Sequence, residues 1–354
     1  MLWLICYSTI TLIAAQAFAF QHQRNLIING TIAPHQRYPY AVFFQDYDFV
    51  FCGGSLIAAD VVLTAAHCIP EEDDYAGNIT VMEGEYNLTD GELGDVVRIR
   101  ENVRHPLYQK ETNNDFDIAL TFLERPTTIE TDKLIYLNRN DSYPPDDTIA
   151  TYLGWGVVNT IGEASNILRE VDVSVMTNEE CIQINGTTIY NNMHFSMSGH
   201  ITPNMMCTFA KGKDSCQRDS GGPLIVRGED ANSSDVQIGV SSWGVNCADR
   251  IFPGVASRVS SSWDFIRDNV CRQSSMPPDY FECLADGEPS LQSQSSAAPS
   301  SSSNSSSLDT SKLKNVEQTP STSLALKSNA QRFAARNVAA VVMTGLGLFC
   351  FVNL

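Results

Sequence analysis

Residues 214–224 carry the pattern of a serine nucleophile. Their sequence, DSCQRDSGGPL, places Ser220 between Asp219 and two glycines, four residues after Cys216. A serine hydroxyl is a weak nucleophile at neutral pH, so it needs a base that takes its proton and donors that hold the developing oxyanion. The glycines leave room for a substrate carbonyl group to approach. The stretch therefore predicts nucleophilic catalysis by Ser220, given a base and an orienting acid elsewhere in the chain.

Two upstream segments supply a candidate base and a candidate acid. CGGSLI leads to LTAAHC, which contains His67, although an isolated histidine is more often a satisfied core residue. NDFDIAL places Asp117 at the start of an apolar strand. A buried acid at that position needs a partner, and a histidine is an obvious one. The pattern favours a His67–Asp117 pair.

Short apolar runs between polar turns predict an all-β domain from residue 27 to about residue 271. Regularly spaced short strands are typical of a barrel or a sandwich. Residues 260–270 (SSSWDFIRDNV) begin with serines and space their apolar residues as a helix does, which predicts a terminal helix. The apolar runs lie at 41–44, 61–65, 96–99, 118–122, 149–153, 171–175, 224–226 and 237–240.

The composition restricts the classes of binding partner and the cellular compartment of the protein. The 354 residues are 43% hydrophobic and carry a formal charge of −18. The charge argues against a nucleic-acid partner, and solubility is a simpler reason for it than attraction of basic substrates. Of the ten cysteines, Cys6 and Cys350 fall in apolar end segments. The other eight are enough for four disulfides, which indicates an oxidising compartment.

Both ends of the chain predict processing. Residues 1–19 are apolar and end in Ala-Phe-Ala, as a secretory signal peptide does, and residues 20–26 then form a short propeptide. Residues 338–354 are apolar with no basic residue after them, which favours a GPI-attachment signal. A C-terminal transmembrane helix is the alternative. We expect a secreted, extracellular protein or one anchored at the cell surface.

Two segments follow the β-rich domain at 27–271. Residues 272–286 form an extension that a Cys271–Cys283 disulfide would close. Residues 287–337 are rich in serine, with threonine and proline, and are predicted to be a disordered stalk suited to O-glycosylation. Asn-x-Ser/Thr sequons predict N-glycosylation at some of Asn29, Asn78, Asn87, Asn140, Asn185, Asn232 and Asn304.

Six motifs stand in the order found in chymotrypsin-like serine proteases. They are CGGSLI…LTAAHC, DFDIAL, GWG, ITPNMMC, DSCQRDSGGPL and SSWGVNC…PGV. The chain resembles that family from residue 27 to about residue 270. The resemblance implies two six-stranded antiparallel β-barrels with the active site in the cleft between them, and chemistry that requires no cofactor.

The resemblance gives each candidate a role. It implies that His67 is the general base, that Asp117 orients it and that Ser220 is the nucleophile. The backbone N–H groups of Arg218 and Ser220 would form the oxyanion hole. Ser242 matches the residue that supports the buried aspartate beside the substrate pocket.

The resemblance also implies a preference for basic residues. Asp214 matches the acid at the base of the substrate pocket in trypsin-type members, and Gly244 and Gly254 match the two glycines of the pocket wall. An acid at the bottom of a narrow pocket favours a long cationic side chain, so protein or peptide substrates would be cut after Arg or Lys. The alternative is that Asp214 is a solvated loop charge.

Activation in this family frees an isoleucine amine that pairs with the acid before the nucleophile. The matching residues are Ile27 and Asp219. Leu26 precedes Ile27, so an enzyme that cuts after Arg or Lys could not readily activate itself. We expect an activating protease of chymotrypsin-like preference.

The cysteine pattern also matches the family. The resemblance implies the disulfides Cys52–Cys68, Cys181–Cys207 and Cys216–Cys247. Cys271–Cys283 has no counterpart there and follows by elimination.

Arg218 is the main departure, because the family nearly always has glycine at this position. The expected donor is a backbone N–H, which arginine retains. Arginine adds bulk on the leaving-group side and is less at ease with unusual φ and ψ angles. Trypsins with arginine here remain active but resist protein inhibitors, so we expect weak binding of rigid inhibitors.

A structural calcium ion is one interpretation of the acidic loop near residue 90. Glu85, Glu92 and Asp95 have the spacing of the acidic ligands in the trypsin calcium loop, and Ca²⁺ prefers oxygen ligands. An acidic surface loop is the equal alternative, and the sequon at Asn87 lies in the same loop.

The leading interpretation is a trypsin-like endopeptidase. The alternative is a non-catalytic homologue that acts as a protein-binding module, although every expected triad residue is present. An adhesion protein that depends on its stalk is a weaker third interpretation, because the stalk is short.

Overall fold

The computed structural model describes residues 30–284, except 48, 71–78, 85, 90–93, 111, 158–163, 189–191, 213–214 and 229–233. The predicted signal peptide, propeptide, stalk and C-terminal apolar segment lie outside the described residues. The same is true of Ile27, Glu85, Glu92 and Asp214, and of the sequons at Asn29, Asn78, Asn232 and Asn304.

Six strands of the first half close into a barrel in the order β2-β3-β4-β7-β6-β5. Closure removes free strand edges, and the interior is filled by apolar side chains such as Phe43, Leu56 and Phe122. The strands of this half are β1 (Thr31–Ile32), β2 (Ala41–Asp46), β3 (Phe49–Ala58), β4 (Val61–Thr64), β5 (Ile79–Glu83), β6 (Asp95–Arg104) and β7 (Ala119–Leu123).

Strands β9, β10, β13, β16, β15 and β14 close a second six-stranded barrel, because β9 pairs with both β10 and β14. Strand β1 is added beside β10, and β8 pairs with β15 in parallel. The strands are β8 (Tyr136–Leu137), β9 (Ile149–Gly154), β10 (Arg169–Met176), β11 (Asn185–Thr187), β12 (His194–Ser196), β13 (Met205–Phe209), β14 (Pro223–Val226), β15 (Val236–Gly244) and β16 (Gly254–Arg258).

The predicted pair of six-stranded antiparallel barrels with a terminal helix is confirmed. Besides the short helix α1 (Asn178–Cys181), the described residues contain α2 (Trp263–Gln273) and four 3-10 turns. The predicted helix start at residue 260 is wrong, because Ser260–Ser262 forms one of those turns. Serine side chains compete for backbone hydrogen bonds, so serines favour helix ends over helix interiors. The remaining 3-10 turns are Ala66–Cys68, Thr131–Lys133 and Asp279–Phe281.

The eight cysteines outside the end segments form the same four pairs that the sequence suggests. Cys181–Cys207 joins the end of α1 to β13 and encloses the β11–β12 hairpin, which packs Phe195 against Phe252 of the later loop. The bonds are Cys52–Cys68, Cys181–Cys207, Cys216–Cys247 and Cys271–Cys283.

The extension after α2 folds back onto the first half of the domain. The carboxylate of Asp60, in the β3–β4 turn, accepts hydrogen bonds from the backbone N–H of Ser275 (2.8 Å) and from its Oγ (2.7 Å). Phe281 is fully buried and stacks on Trp263, with ring centroids 5.3 Å apart. The extension is therefore part of the folded domain. No helix in the described part of the chain has the length and apolar character to span a membrane.

Truncation of Phe281 tests this conclusion. Phe281→Ala should lower the free energy of unfolding by about 3–5 kcal/mol, because it removes a buried ring and leaves a cavity. Urea unfolding measures the change. Leu284→Ala is the matched control: that side chain is 48% exposed, so its loss should cost no more than about 0.5 kcal/mol. Equal effects of the two substitutions would contradict a packed extension.

Candidate active site

Three donors surround the carboxylate of Asp117, which is fully buried. Oδ1 accepts the backbone N–H of His67 (2.9 Å), and Oδ2 lies 2.7 Å from His67 Nδ1. Ser242 Oγ donates to the same Oδ2 at 2.5 Å. Because Oδ2 holds Nδ1, the ring turns Nε2 away from the acid. A histidine held in this way can accept a proton at Nε2.

A strained residue directs Asp117 inward. Phe116 has φ = 50°, which is uncommon for a bulky residue, and its ring stacks on that of His105 with centroids 4.4 Å apart. Burial lowers the pKa of His105 to about 4, so this ring is neutral at pH 7. The stack holds the strained turn immediately before Asp117 and β7.

Ser220 is fixed from the side of the first barrel. The backbone N–H of Gly53 donates to the Ser220 carbonyl oxygen at 2.8 Å, and Cys68 Sγ lies 3.5 Å from that oxygen. Gly221 has φ = 83°, and a Cβ there would come within 2.3 Å of Thr64 Oγ1, so only glycine fits. Ser220 Oγ makes no hydrogen bond within the described residues, a common state for a nucleophile without substrate.

Two backbone N–H groups near Ser220 have no backbone acceptor in the part of the chain that the structure describes. The N–H groups of Asp219, Gly221 and Gly222 all donate to backbone carbonyls. Those of Arg218 and Ser220 donate to none among the described residues. They are the two predicted oxyanion donors, and this arrangement leaves them available for a substrate oxygen.

Arg218 adopts φ = 76°, so arginine occupies a conformation that favours glycine. Its guanidinium carbon lies 4.6 Å from the ring centroid of Phe49, the first residue of β3. Sequence reasoning missed Phe49, because nothing in the sequence pairs an exposed hairpin residue with a loop so much later in the chain.

A cavity of about 280 Å³ opens beside Ser220. Gly244 borders the cavity and pairs with Gly254 across β15 and β16. Asp214 lies outside the described residues, but its neighbour Ser215 lines the cavity, and the Cys216–Cys247 bond joins the two segments that form it. The lining residues include Ser215, Cys216, Ser220, Ser242, Trp243 and Gly244.

Asp219 is a second buried carboxylate, 1% exposed. It accepts the backbone N–H groups of Gly156 (2.7 Å) and Cys216 (2.9 Å). Burial raises the pKa of Asp219 to about 7, although both hydrogen bonds oppose the rise. A Cβ on Gly156 would lie 2.4 Å from this carboxylate, which explains the second glycine of the GWG motif. The predicted partner, the amine of Ile27, lies outside the described residues.

Neither group of candidate metal ligands gains support. Cys52, His67 and Cys68 place ligand atoms within 4.8 Å of one another. The two sulfurs form a disulfide, so they are not thiolates that bind metal. In the acidic loop, Asp95 Oδ1 lies 2.5 Å from Arg125 Nη2. With Glu85 and Glu92 outside the described residues, the calcium site stays a prediction.

The raised pKa of Asp219 predicts a pH dependence for the chain that is not cleaved before Ile27. A carboxyl whose folded-state pKa exceeds its unfolded value stabilises the protein at low pH and loses that stabilisation as pH rises. From pH 4 to pH 7, the shift from 3.8 to about 7 should remove roughly 3 kcal/mol.

Urea unfolding of the wild type and of Asp219→Asn at several pH values measures this contribution as the difference between the two proteins. The other titrating groups are common to both proteins and cancel in the difference. A difference that stays constant between pH 4 and pH 7 would contradict the raised pKa.

Comparisons with known proteins agree with this geometry. The family model described as Trypsin matches residues 27–266. A trypsin of Simulium vittatum is 35% identical over 237 residues, which cover 65% of this chain and 87% of that protein. Trypsin II-P29 of Gallus gallus is 34% identical over 263 residues, which cover 73% of this chain and 94% of that protein.

A solved structure is also similar. Neuropsin, a serine protease expressed in the limbic system of mouse brain, superposes with a TM-score of 0.56 at 25% identity. The match covers 68% of this chain and 98% of that one. The region that the family model matches, residues 27–266, includes both barrels as well as His67, Asp117 and Ser220. The chain belongs to the trypsin family of serine proteases.

Proposed function

We propose that this protein is an active endopeptidase, secreted or anchored at the cell surface, that cuts protein or peptide chains after Arg or Lys through an acyl-enzyme. The observation that carries the proposal is the His67 ring held by the buried Asp117, with Cys68 Sγ 3.8 Å from His67 Nε2 and 3.5 Å from the Ser220 carbonyl oxygen. The two backbone N–H groups that have no acceptor among the described residues support it further.

In the first step, Ser220 Oγ attacks the carbonyl carbon of the scissile bond while His67 Nε2 takes the hydroxyl proton. The carbonyl oxygen becomes an oxyanion and accepts hydrogen bonds from the N–H groups of Arg218 and Ser220. Asp117 remains ionised and stabilises the imidazolium.

In the second step, the tetrahedral intermediate collapses, the C–N bond breaks and His67 gives its proton to the leaving amine. Water then attacks the ester, again with His67 as the base, and regenerates Ser220. Nothing in this cycle requires a cofactor.

Specificity for Arg or Lys rests on Asp214. This acid directly precedes Ser215, which lines the cavity beside Ser220. A carboxylate at the end of a narrow cavity pairs with a long cationic side chain and rejects an apolar one, which would leave the carboxylate desolvated and unpaired.

The proposed activation depends on the buried carboxylate of Asp219. A buried carboxylate without a cationic partner is unfavourable, and the amine of Ile27 would provide that partner once the chain is cut after Leu26. The four disulfides suit an extracellular compartment, which agrees with an N-terminal secretory signal. GPI attachment at the C-terminal segment is part of the proposal.

Hydrolysis by the processed protein tests the catalytic mechanism. After cleavage before Ile27, verified by N-terminal sequencing, the protein should hydrolyse a small arginine ester. Ser220→Ala should lower kcat by at least about 10³-fold, because it removes the nucleophile. If wild type with the correct N-terminus fails to hydrolyse the ester, the protein is a non-catalytic binding module.

Removal of the acid at Asp214 tests the specificity. Asp214→Ser should lower kcat/KM for the arginine ester by about 100-fold, because the substrate cation loses its buried partner. The matched leucine ester should not lose rate. Parallel loss on both esters would indicate misfolding, which circular dichroism of the variant detects. Unchanged rates on both esters would show that Asp214 is a solvated loop charge.

A further inference from the structure

Arg218 and Phe49 form a cation–aromatic pair at the edge of the site. The guanidinium carbon lies 4.6 Å from the ring centroid, which is within the range of a cation–π contact. Within the described residues, Arg218 has no carboxylate within 4.0 Å and no side-chain hydrogen bond. The pair therefore presents a positive charge that no group of the described chain neutralises.

The pair lies outside the cavity beside Ser220, because neither Arg218 nor Phe49 lines that cavity. In the proposed function the cavity, which segments near Ser215 and Ser242 form, would receive the residue before the cut. Strand β3 contacts Ser220 from the first barrel, since Gly53 donates to the Ser220 carbonyl and Phe49 begins the same strand. With the residue before the cut in the cavity, the segment after the cut would leave Ser220 on the side of β3, where the pair lies.

Phe49 belongs to none of the apolar clusters formed by the described residues. Its side chain is 55% exposed, at the end of the β2–β3 hairpin. The neighbouring turn residue Tyr47 is 71% exposed and has no ring contact among the described residues. Of the two aromatic residues of this hairpin, Phe49 is the one that contacts Arg218 among the described residues.

We propose that Phe49 is a positioning residue that holds the Arg218 guanidinium over the leaving-group side of Ser220, and that the pair selects substrates with an acidic residue shortly after the scissile bond. The inference rests on the proposed function. A guanidinium that stacks its face on a ring keeps its N–H edge free for a carboxylate. Because the chain carries a formal charge of −18, a local cation is needed to favour an acidic segment.

Fluorogenic peptides test the preference directly. The processed full-length protein is given three peptides with arginine before the cut, which differ only in carrying Asp, Asn or Lys as the second residue after it. We expect kcat/KM for the Asp peptide to exceed that for the Asn peptide about fivefold, with the Lys peptide slowest. Added NaCl should bring the Asp-to-Asn ratio towards one, because salt screens the ion pair.

Variants of the β2–β3 hairpin distinguish a positioning role of Phe49 from a role in folding. Phe49→Tyr keeps the aromatic face, so the Asp-to-Asn ratio of kcat/KM should not change. Phe49→Leu keeps the apolar bulk without the aromatic face, so that ratio should fall to about twofold. Tyr47→Ala is the matched control in the same hairpin and should change neither ratio nor rate. Arg218→Gln should bring the ratio to one.

Each outcome of these experiments supports or overturns a specific part of the proposal. Equal rates for the Asp and Asn peptides in wild type would overturn this inference alone, because hydrolysis itself would still support the proposed function. A full ratio in Phe49→Leu would overturn the role of Phe49 and leave Arg218 as the determinant. If the processed protein cleaves neither the peptides nor a small arginine ester, the proposed function fails and this inference fails with it.

Discussion

The Asp117 carboxylate can be buried only if both halves of the domain supply its donors. His67 reaches it from the turn after β4 in the first barrel, and Ser242 reaches it from β15 in the second. An ionised group removed from water is costly unless hydrogen bonds replace its hydration. The orientation of the imidazole therefore depends on this one carboxylate, which also connects the two barrels at the cleft.

Other buried acids connect distant segments in the same way. Asp235, just before β15, accepts a bidentate contact from Arg37 (2.6 and 2.7 Å) and the hydroxyl of Tyr40 (2.6 Å). Burial alone would raise the pKa of Asp235, but the hydrogen bonds from Arg37 and Tyr40 hold it below its ordinary value.

Asp115 accepts hydrogen bonds from Thr202 and Asn204 in the second half, as Asp60 does from the segment after α2. Asp219 differs from these acids, since the hydrogen bonds that it accepts within the described residues come from backbone N–H groups of its own half. The proposed activation would add the amine of Ile27 as its cationic partner.

The sequence predicted the architecture well because strand formation here follows local patterns. Each apolar run named from the sequence, such as 149–153, overlaps a strand of the structure. The His67–Asp117 contact was also predictable, since a buried acid at a strand start requires a donor. Short strands such as β8 and β11 carry no periodic signal, and the strain at Phe116 depends on a stack with His105 that local sequence does not encode. The Arg218–Phe49 contact was beyond prediction because it joins a half-buried loop residue to an exposed hairpin residue of the other barrel.

The anchoring of the extension has a mechanical consequence. The chain leaves the described domain at Leu284, one residue after Cys283, which is bonded to Cys271 in α2. Tension applied to the segment beyond Leu284 would pass through this covalent bond into the helix and would bypass the noncovalent contacts of residues 272–282. If the tail holds the protein on a surface, force on the tail would be transmitted to α2 and not to the cleft between the barrels.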